Sequence, residues 1–331
     1  MNYRFLFLLV LTSMSSYSIE SISVSSTREL YKAIVNANSE STVKQIIIEP
    51  GIYQLTHRII LKKDGISLTG RLGSQSTILR GQGMKKSRSP EILIDVMANN
   101  ISITGITLTS SANHLIQVRA EKNASNFHLS NSILQDSYEQ MLKVSGALSY
   151  GRDYSENGII ENCVFEYTDS IGPQYYIGGI DAHRSKNWTV RNNIFRNIAS
   201  PSKQIAEHAI HFWNDSYGTQ VIGNTIINSD RGIGFGLGNS SRQHHGGLIE
   251  NNVVIHTNTH HPFSDTGITL ESSPNSIVRN NTVLLYTNYP NAIEYRFSVT
   301  KNVIIENNKV NKQIKRRDNA TAVLSANEFV D

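Results

Sequence analysis

Cysteine is almost absent from this 331-residue chain. The single residue, Cys163, excludes an internal disulfide, a cysteine-based zinc site and a redox pair, so stability must come from packing. Proline is scarce at 7, while Gly, Asn and Ser are abundant, which suits many short strands joined by tight turns. Amphipathic helical pattern is nearly missing too. One segment carries it, residues 27–38, with Leu30, Ile34 and Ala37 on one face and Thr27 as a possible cap. Long apolar runs are lacking: Phe5 to Leu11 is seven residues, too short for roughly 30 Å of hydrocarbon. With Arg4 ahead of it and Ser16-Tyr17-Ser18 behind, that run predicts an export signal over residues 1–18 and a mature chain starting near Ile19. No cysteine stands near that point to carry a lipid, so a soluble secreted or periplasmic product is expected, off the membrane after cleavage. Basic blocks interleaved with aromatics are missing as well, which argues against nucleic acid. The dense run from Lys312 to Arg317 reads as a solvated end-cap, and the net charge of +4 leans mildly toward a polyanionic partner.

What the chain has is a repeat. An apolar residue, two variable positions, Asn, one variable position and another apolar residue recur around Asn162, Asn193, Asn224, Asn252, Asn281 and Asn308, with a weaker copy at Asn131. The spacings are 31, 31, 31, 28, 29 and 27 residues, the period of a solenoid. Leucine-rich and helical repeats share this period but need a Leu framework or two amphipathic helices per unit. Here each unit holds short β-branched runs of period two bounded by Asn, Gly, Ser and Asp, as in a parallel β-helix. Coils stacked about 4.8 Å apart would turn the repeated Asn into a structural ladder. The helix at residues 27–38 would plug the first open end, and residues 19–331 would form one domain without an internal linker.

The opening helix, the phrase Glu49-Pro50-Gly51-Ile52-Tyr53 and the Asn-rich coils resemble the pectate-lyase-like right-handed β-helix superfamily. The resemblance covers nearly all of the mature chain. It implies an all-β, single-stranded right-handed parallel β-helix of about ten coils, and an activity among lyases, polygalacturonases and epimerases of acidic polysaccharides. These motifs build the solenoid and do not touch substrate, so the reaction must be read from the site.

A second strand follows most ladder positions. Its copies align as Leu115–Arg119, Met141–Ser145, Gly179–His183, Ala209–Trp213, Gly232–Gly236, Gly267–Glu271 and Ala292–Arg296, apolar at the second and fourth places. The third and fifth then point outward and form two columns: Gln117, Lys143, Asp181, His211, Gly234, Thr269, Glu294 and Arg119, Ser145, His183, Trp213, Gly236, Glu271, Arg296. Lys143, Asp181, His183 and His211 converge in this alignment. Asp181 would hold His211 charged and Lys143 would keep Asp181 ionised, an acid/base group suited to removing the proton α to a uronate carboxylate. Arg231 or Arg184 would assist, Trp213 would stack on a sugar ring, and Glu207 and His208, in an insert from Ser200 to His208, would line the groove. The outward glycines of Arg231–Gly238 would leave a trough beside these charges.

Three alternatives stand beside the lyase. Glu271 and Glu294, about 8 Å apart on a diagonal, have the separation of an inverting glycosidase pair, with Arg296 beside them. An epimerase begins with the same proton abstraction, and a binding or adhesion module needs no chemistry at all. No cofactor is certain. Calcium is the metal to consider first, from the oxygen ligands of Asp181, Glu207, Asp230 and Glu271, although no loop shows its binding spacing; the pairs His244-His245 and His260-His261 read as turn residues. A monomer acting on an acidic polysaccharide is expected.

Overall fold

The computed structural model describes residues 20–39, 42–146, 153–257 and 264–331. The predicted signal and the pair His260-His261 lie outside them. Among the described residues one α-helix, Thr27–Ala37, and one 3-10 turn accompany some three dozen short strands. The strands form three parallel sheets of 14, 11 and 10 strands, and each coil of the chain adds one strand to each sheet in turn. This is the parallel β-helix that the repeat predicts. No described helix is long and apolar enough to cross a membrane.

Apolar positions stack inside the cylinder. Leu134, Phe165, Phe195, Ile226, Val254, Val283 and Val310 succeed one another along the second sheet, each on the copy one coil earlier. Phe165 and Phe195 lie nearly parallel with centroids 4.6 Å apart. The helix closes the first end by burying Leu30, Ala33, Ile34 and Ala37 against the opening strands. Its N-cap is Ser26 and not Thr27: the Ser26 hydroxyl accepts from the Glu29 N–H at 3.2 Å. At the other end the basic run becomes the exposed last strand of its sheet, Gln313–Arg316.

The Asn ladder exists, displaced from its predicted start. Asn193, Asn224, Asn252, Asn281, Asn308 and Asn327 stand in one file. In each, the side-chain carbonyl accepts from the backbone N–H and the amide of the preceding rung, or for Asn193 from the N–H of Cys163, at 2.9–3.0 Å. Each amide also donates to a backbone carbonyl, as Asn252 does to Val221 at 2.8 Å. Asn131 and Asn162 are not rungs. They belong to the neighbouring turn column with Asn192, Gly223, Asn251, Asn280 and Asn307, all at φ between 49° and 65°, and Cys163 takes the rung position. The cause is a one-residue slip. Ile159 and Ile160 are both apolar, and it is Ile160 that enters the core opposite Val190.

His244 opens a strand, His244–Glu250, and is not a turn residue. Its ring is buried on Phe235 at 4.0 Å, with Ser273 Oγ and Thr219 Oγ1 each 3.1 Å from its nitrogens. Burial pushes its pKa down to about 3, and that of buried His114 to about 4.

The ladder and the turn column separate by mutation. Asn252→Ala strands buried donors on Asn224 and should cost on the order of 3–5 kcal/mol in chemical denaturation. Asn162→Ala should cost about 1 kcal/mol, the left-handed backbone penalty, and Asn162→Gly almost nothing. Acid lability has a defined sign. A neutral imidazole whose folded pKa is depressed from about 6.5 stabilises fully above that value, and the contribution is lost as pH falls toward 3. Thermal melts from pH 7 to 4 should therefore show a shallower decline for His244→Gln than for the parent chain.

Candidate active site on the third sheet

The third sheet runs through the strands Ile116–Arg119, Leu142–Ser145, Ile180–His183, His208–Trp213, Arg231–Phe235, Ile268–Glu271 and Asn291–Arg296. Its register is the one read from the pattern. Gln117 stands opposite Lys143, Lys143 opposite Asp181, Asp181 opposite His211, His211 opposite Gly234, Gly234 opposite Thr269 and Thr269 opposite Glu294. His183 faces Trp213, and Glu271 faces Arg296.

Outward did not mean exposed. Asp181, His211 and Glu294 retain 2%, 1% and 2% of their surface, because side chains from the same face and from inserts close over them. Around Asp181 the Lys143 ammonium forms a short ion pair with one carboxylate oxygen, and the Trp213 indole N–H donates to the other at 2.6 Å. Lys143 Nζ also lies 3.0 Å from His183 Nε2, while His183 Nδ1 is 3.2 Å from the Gly146 carbonyl. The Asn214 side-chain amide nitrogen also lies 3.2 Å from Nδ1; a ring whose Nδ1–H donates to the Gly146 carbonyl turns its Nε2 lone pair to the ammonium. Burial alone would raise the Asp181 pKa; the Lys143 ammonium beside it overrides this and holds the carboxyl well below its usual range.

His211 departs from its expected role. It makes no hydrogen bond to Asp181, and burial lowers its pKa in spite of Glu207 and Asp181, so the imidazole is neutral and not charged. Its Nε2 donates to the Gly236 carbonyl at 3.1 Å, and its Nδ1 faces Glu207 Oε2 at 3.8 Å. His208 packs on it at a centroid distance of 4.4 Å. The expected trough over the glycines is filled: a Cβ on Gly234 would meet the His208 ring at 2.6–2.8 Å, and one on Gly236, at φ 80°, would meet the Glu271 carbonyl at 1.8 Å. These glycines serve close packing. Trp213 stacks on His211 at 5.5 Å and meets His183 edge-on at 4.5 Å, so part of the face meant for a sugar is occupied.

Other predicted residues scatter. Arg184 leaves the strand in a left-handed conformation and is buried on Tyr154, bonded to the Asp153 carbonyl at 2.7 Å, away from the cluster. Arg231 pairs with Asp265 at 3.0 Å and lines a separate small polar cavity of about 70 Å³ with His208, Glu271, Tyr289, Glu294 and Arg296. There both glutamates are engaged. Glu294 accepts from Tyr289, Asn291 and Arg317 at 2.7, 2.6 and 3.0 Å. Glu271 accepts from the Gly238 N–H at 2.6 Å and from Arg296 at 2.9 Å. The four oxygen donors considered for calcium have different partners, Asp230 holding the Ser200 and Ala206 amides at 3.0 Å each.

One residue escaped the sequence pattern. Tyr176 lies in the segment before Ile180–His183, 40% exposed, its pKa pushed up to about 12 by burial of the hydroxyl and by Asp181, Glu207 and Glu139. The aperiodic insert holding Tyr175-Tyr176 was the available signal.

No family model and no curated protein matches this chain. Solved structures do. An alginate lyase from Paenibacillus sp. str. FPU-7 superposes with a TM-score of 0.63 at 14% identity, covering 92% of this chain and 97% of the other. Endopolygalacturonase I from Stereum purpureum, complexed with two galacturonates, gives 0.57 at 10% identity over 93% and 100%. PfbA, a surface adhesin of Streptococcus pneumoniae, gives 0.59 at 13% over 92% and 87%. The chain has the right-handed parallel β-helix fold of these proteins. Lyase, hydrolase and adhesin share it, so the fold leaves the reaction to the side chains.

The electrostatics of the cluster can be measured directly. Trp213→Phe removes one donor to Asp181 and should raise its pKa; Lys143→Ala removes the ion pair and should raise it further. A carboxyl carbon-13 NMR titration in which neither variant moves the Asp181 resonance toward neutral pH would refute this ordering.

Proposed function

We propose that this chain is an exported lyase that cleaves uronic-acid polysaccharides by β-elimination. The carrying observation is the arrangement of Lys143, His183 and Trp213 around an ionised Asp181, with the Tyr176 phenol in the adjoining insert. Elimination needs a base for the proton α to the carboxylate, a cation for the charge that develops there, and an acid for the departing glycosidic oxygen. His183 Nε2, 3.0 Å from the Lys143 ammonium, supplies the base's lone pair once the substrate carboxylate draws that ammonium away. The ammonium of Lys143, fixed by Asp181, neutralises the substrate carboxylate. Tyr176, whose raised pKa keeps it protonated at neutral pH, donates to the leaving oxygen. The base takes the α proton, its electron pair becomes the new double bond, the bond to the β oxygen breaks, and Tyr176 gives that oxygen a proton. His211 drops out of the base role because its nitrogens are buried.

The glycosidase alternative is weaker on geometry. Glu294 is enclosed by three donors and Glu271 is tied to Arg296, so neither is free to act as acid or to activate water. The resemblance in fold to an alginate lyase and a polygalacturonase agrees with an acidic polymer as partner.

Ultraviolet absorbance of unsaturated ends, followed on polymannuronate, polyguluronate, polygalacturonate and chondroitin, tests this reading. Activity on at least one polymer should fall on the order of 10²–10⁴-fold in His183→Ala and in Tyr176→Phe. Chain shortening without absorbance, abolished in Glu271→Gln, would make the protein a hydrolase; deuterium uptake from solvent without shortening would make it an epimerase. Binding with no chemical change would leave a recognition module.

A further inference from the structure

The trio Glu207, His208 and His211 is not used by the elimination chemistry and has its own geometry. Each offers one ligand atom, and these lie within 4.8 Å of one another. Both imidazoles are buried, 4% and 1% exposed, and each has an Nδ1 with no hydrogen-bond partner. Two unsatisfied ring nitrogens next to a carboxylate in a folded interior call for an occupant. We propose that Glu207, His208 and His211 bind one divalent transition-metal ion of the zinc class.

Three further features fit. The second nitrogen of His211 donates to the Gly236 carbonyl at 3.1 Å, the outer contact that fixes the tautomer and aim of metal-bound histidines. His208 rests on Gly234, where any Cβ would collide with the ring at 2.6–2.8 Å, so the glycine seats this side chain. Burial keeps both rings neutral, the form a metal requires. Two imidazoles and one carboxylate suit zinc and its neighbours, whereas calcium takes six to eight oxygens. Metal bonds of about 2.0–2.2 Å require the ligand atoms to close in by roughly an ångström. Glu207, with a quarter of its side chain exposed, has the freedom to supply that movement. A three-ligand set leaves a fourth position, on the side of the partly exposed Glu207, for water or an anionic group of a bound polymer.

The test uses the full mature chain, stripped with chelator and titrated with zinc by calorimetry, with retained metal counted after gel filtration. One zinc per chain is expected, with calcium in about tenfold excess unable to displace it. Glu207→Gln should weaken binding by about tenfold or more, and the double variant His208→Ala/His211→Ala should abolish it. Cobalt bound to the parent chain should show the strong visible bands of a low-coordinate nitrogen and oxygen site, a readout that survives if the double variant fails to fold. Zinc should raise the melting temperature of the parent and of His183→Ala alike, since His183 is no ligand. No retained zinc, zinc retained equally by Glu207→Gln and the double variant, or an octahedral water-like cobalt spectrum would overturn the site. None of these readouts depends on lyase activity, so either proposal can fail without the other.

Discussion

Everything in this protein hangs on the hydrogen bonding of each strand to its copy one coil away. Because that pairing is parallel and in register, a side chain at a given place in one coil stands about 4.8 Å from its counterpart in the next. Inside the cylinder this produces files of Leu, Ile, Val and Phe. At the turn it produces the Asn file, in which every amide and carbonyl meets the copy before and after it. The same constraint brings Lys143, Asp181 and His211 together, although they are separated in sequence by 38 and 30 residues.

Burial divides one charged face from another. On the first and second sheets Arg191–Glu161, Arg279–Glu250 and Arg196–Glu166 form ion pairs between neighbouring coils, each with an arginine 39–47% exposed. Such pairs are solvated and contribute little. On the third sheet Lys143–Asp181 has side chains 12% and 4% exposed. There a lost partner leaves a charge without water, which is why that face perturbs its own acid–base chemistry. The difference comes from inserts. Asp230 ties down the Ser200–His208 segment through two backbone amides, and that segment in turn carries Glu207 and His208 to His211.

The resulting face is compact and polar. Its two clusters touch through His211 and Trp213, whose rings stack, yet each has distinct chemistry: a cation-held carboxylate on one side, neutral imidazoles with a carboxylate on the other. The cavity with Glu271, Glu294 and three arginines is an ion-pair network one step further along the sheet.

The sequence by itself determined the solenoid, the capping helix and the register of the third sheet. It could do so because an apolar residue, a polar or glycine centre and a second apolar residue admit one inward phase, and the seven aligned strands from Leu115 to Arg296 repeat it. Where two phases were both apolar, at Ile159-Ile160, the pattern chose wrongly and placed Asn162 in the ladder instead of the turn. Only the tertiary structure decided what covers the outer columns. Alternation tells which side of a strand a residue occupies, but the burial of Asp181 and His211, the loss of Arg184 to a corner and the arrival of Tyr176 depend on aperiodic inserts folding back across the sheet. Those inserts have no copy in the next coil, so no repeat could announce where they lie.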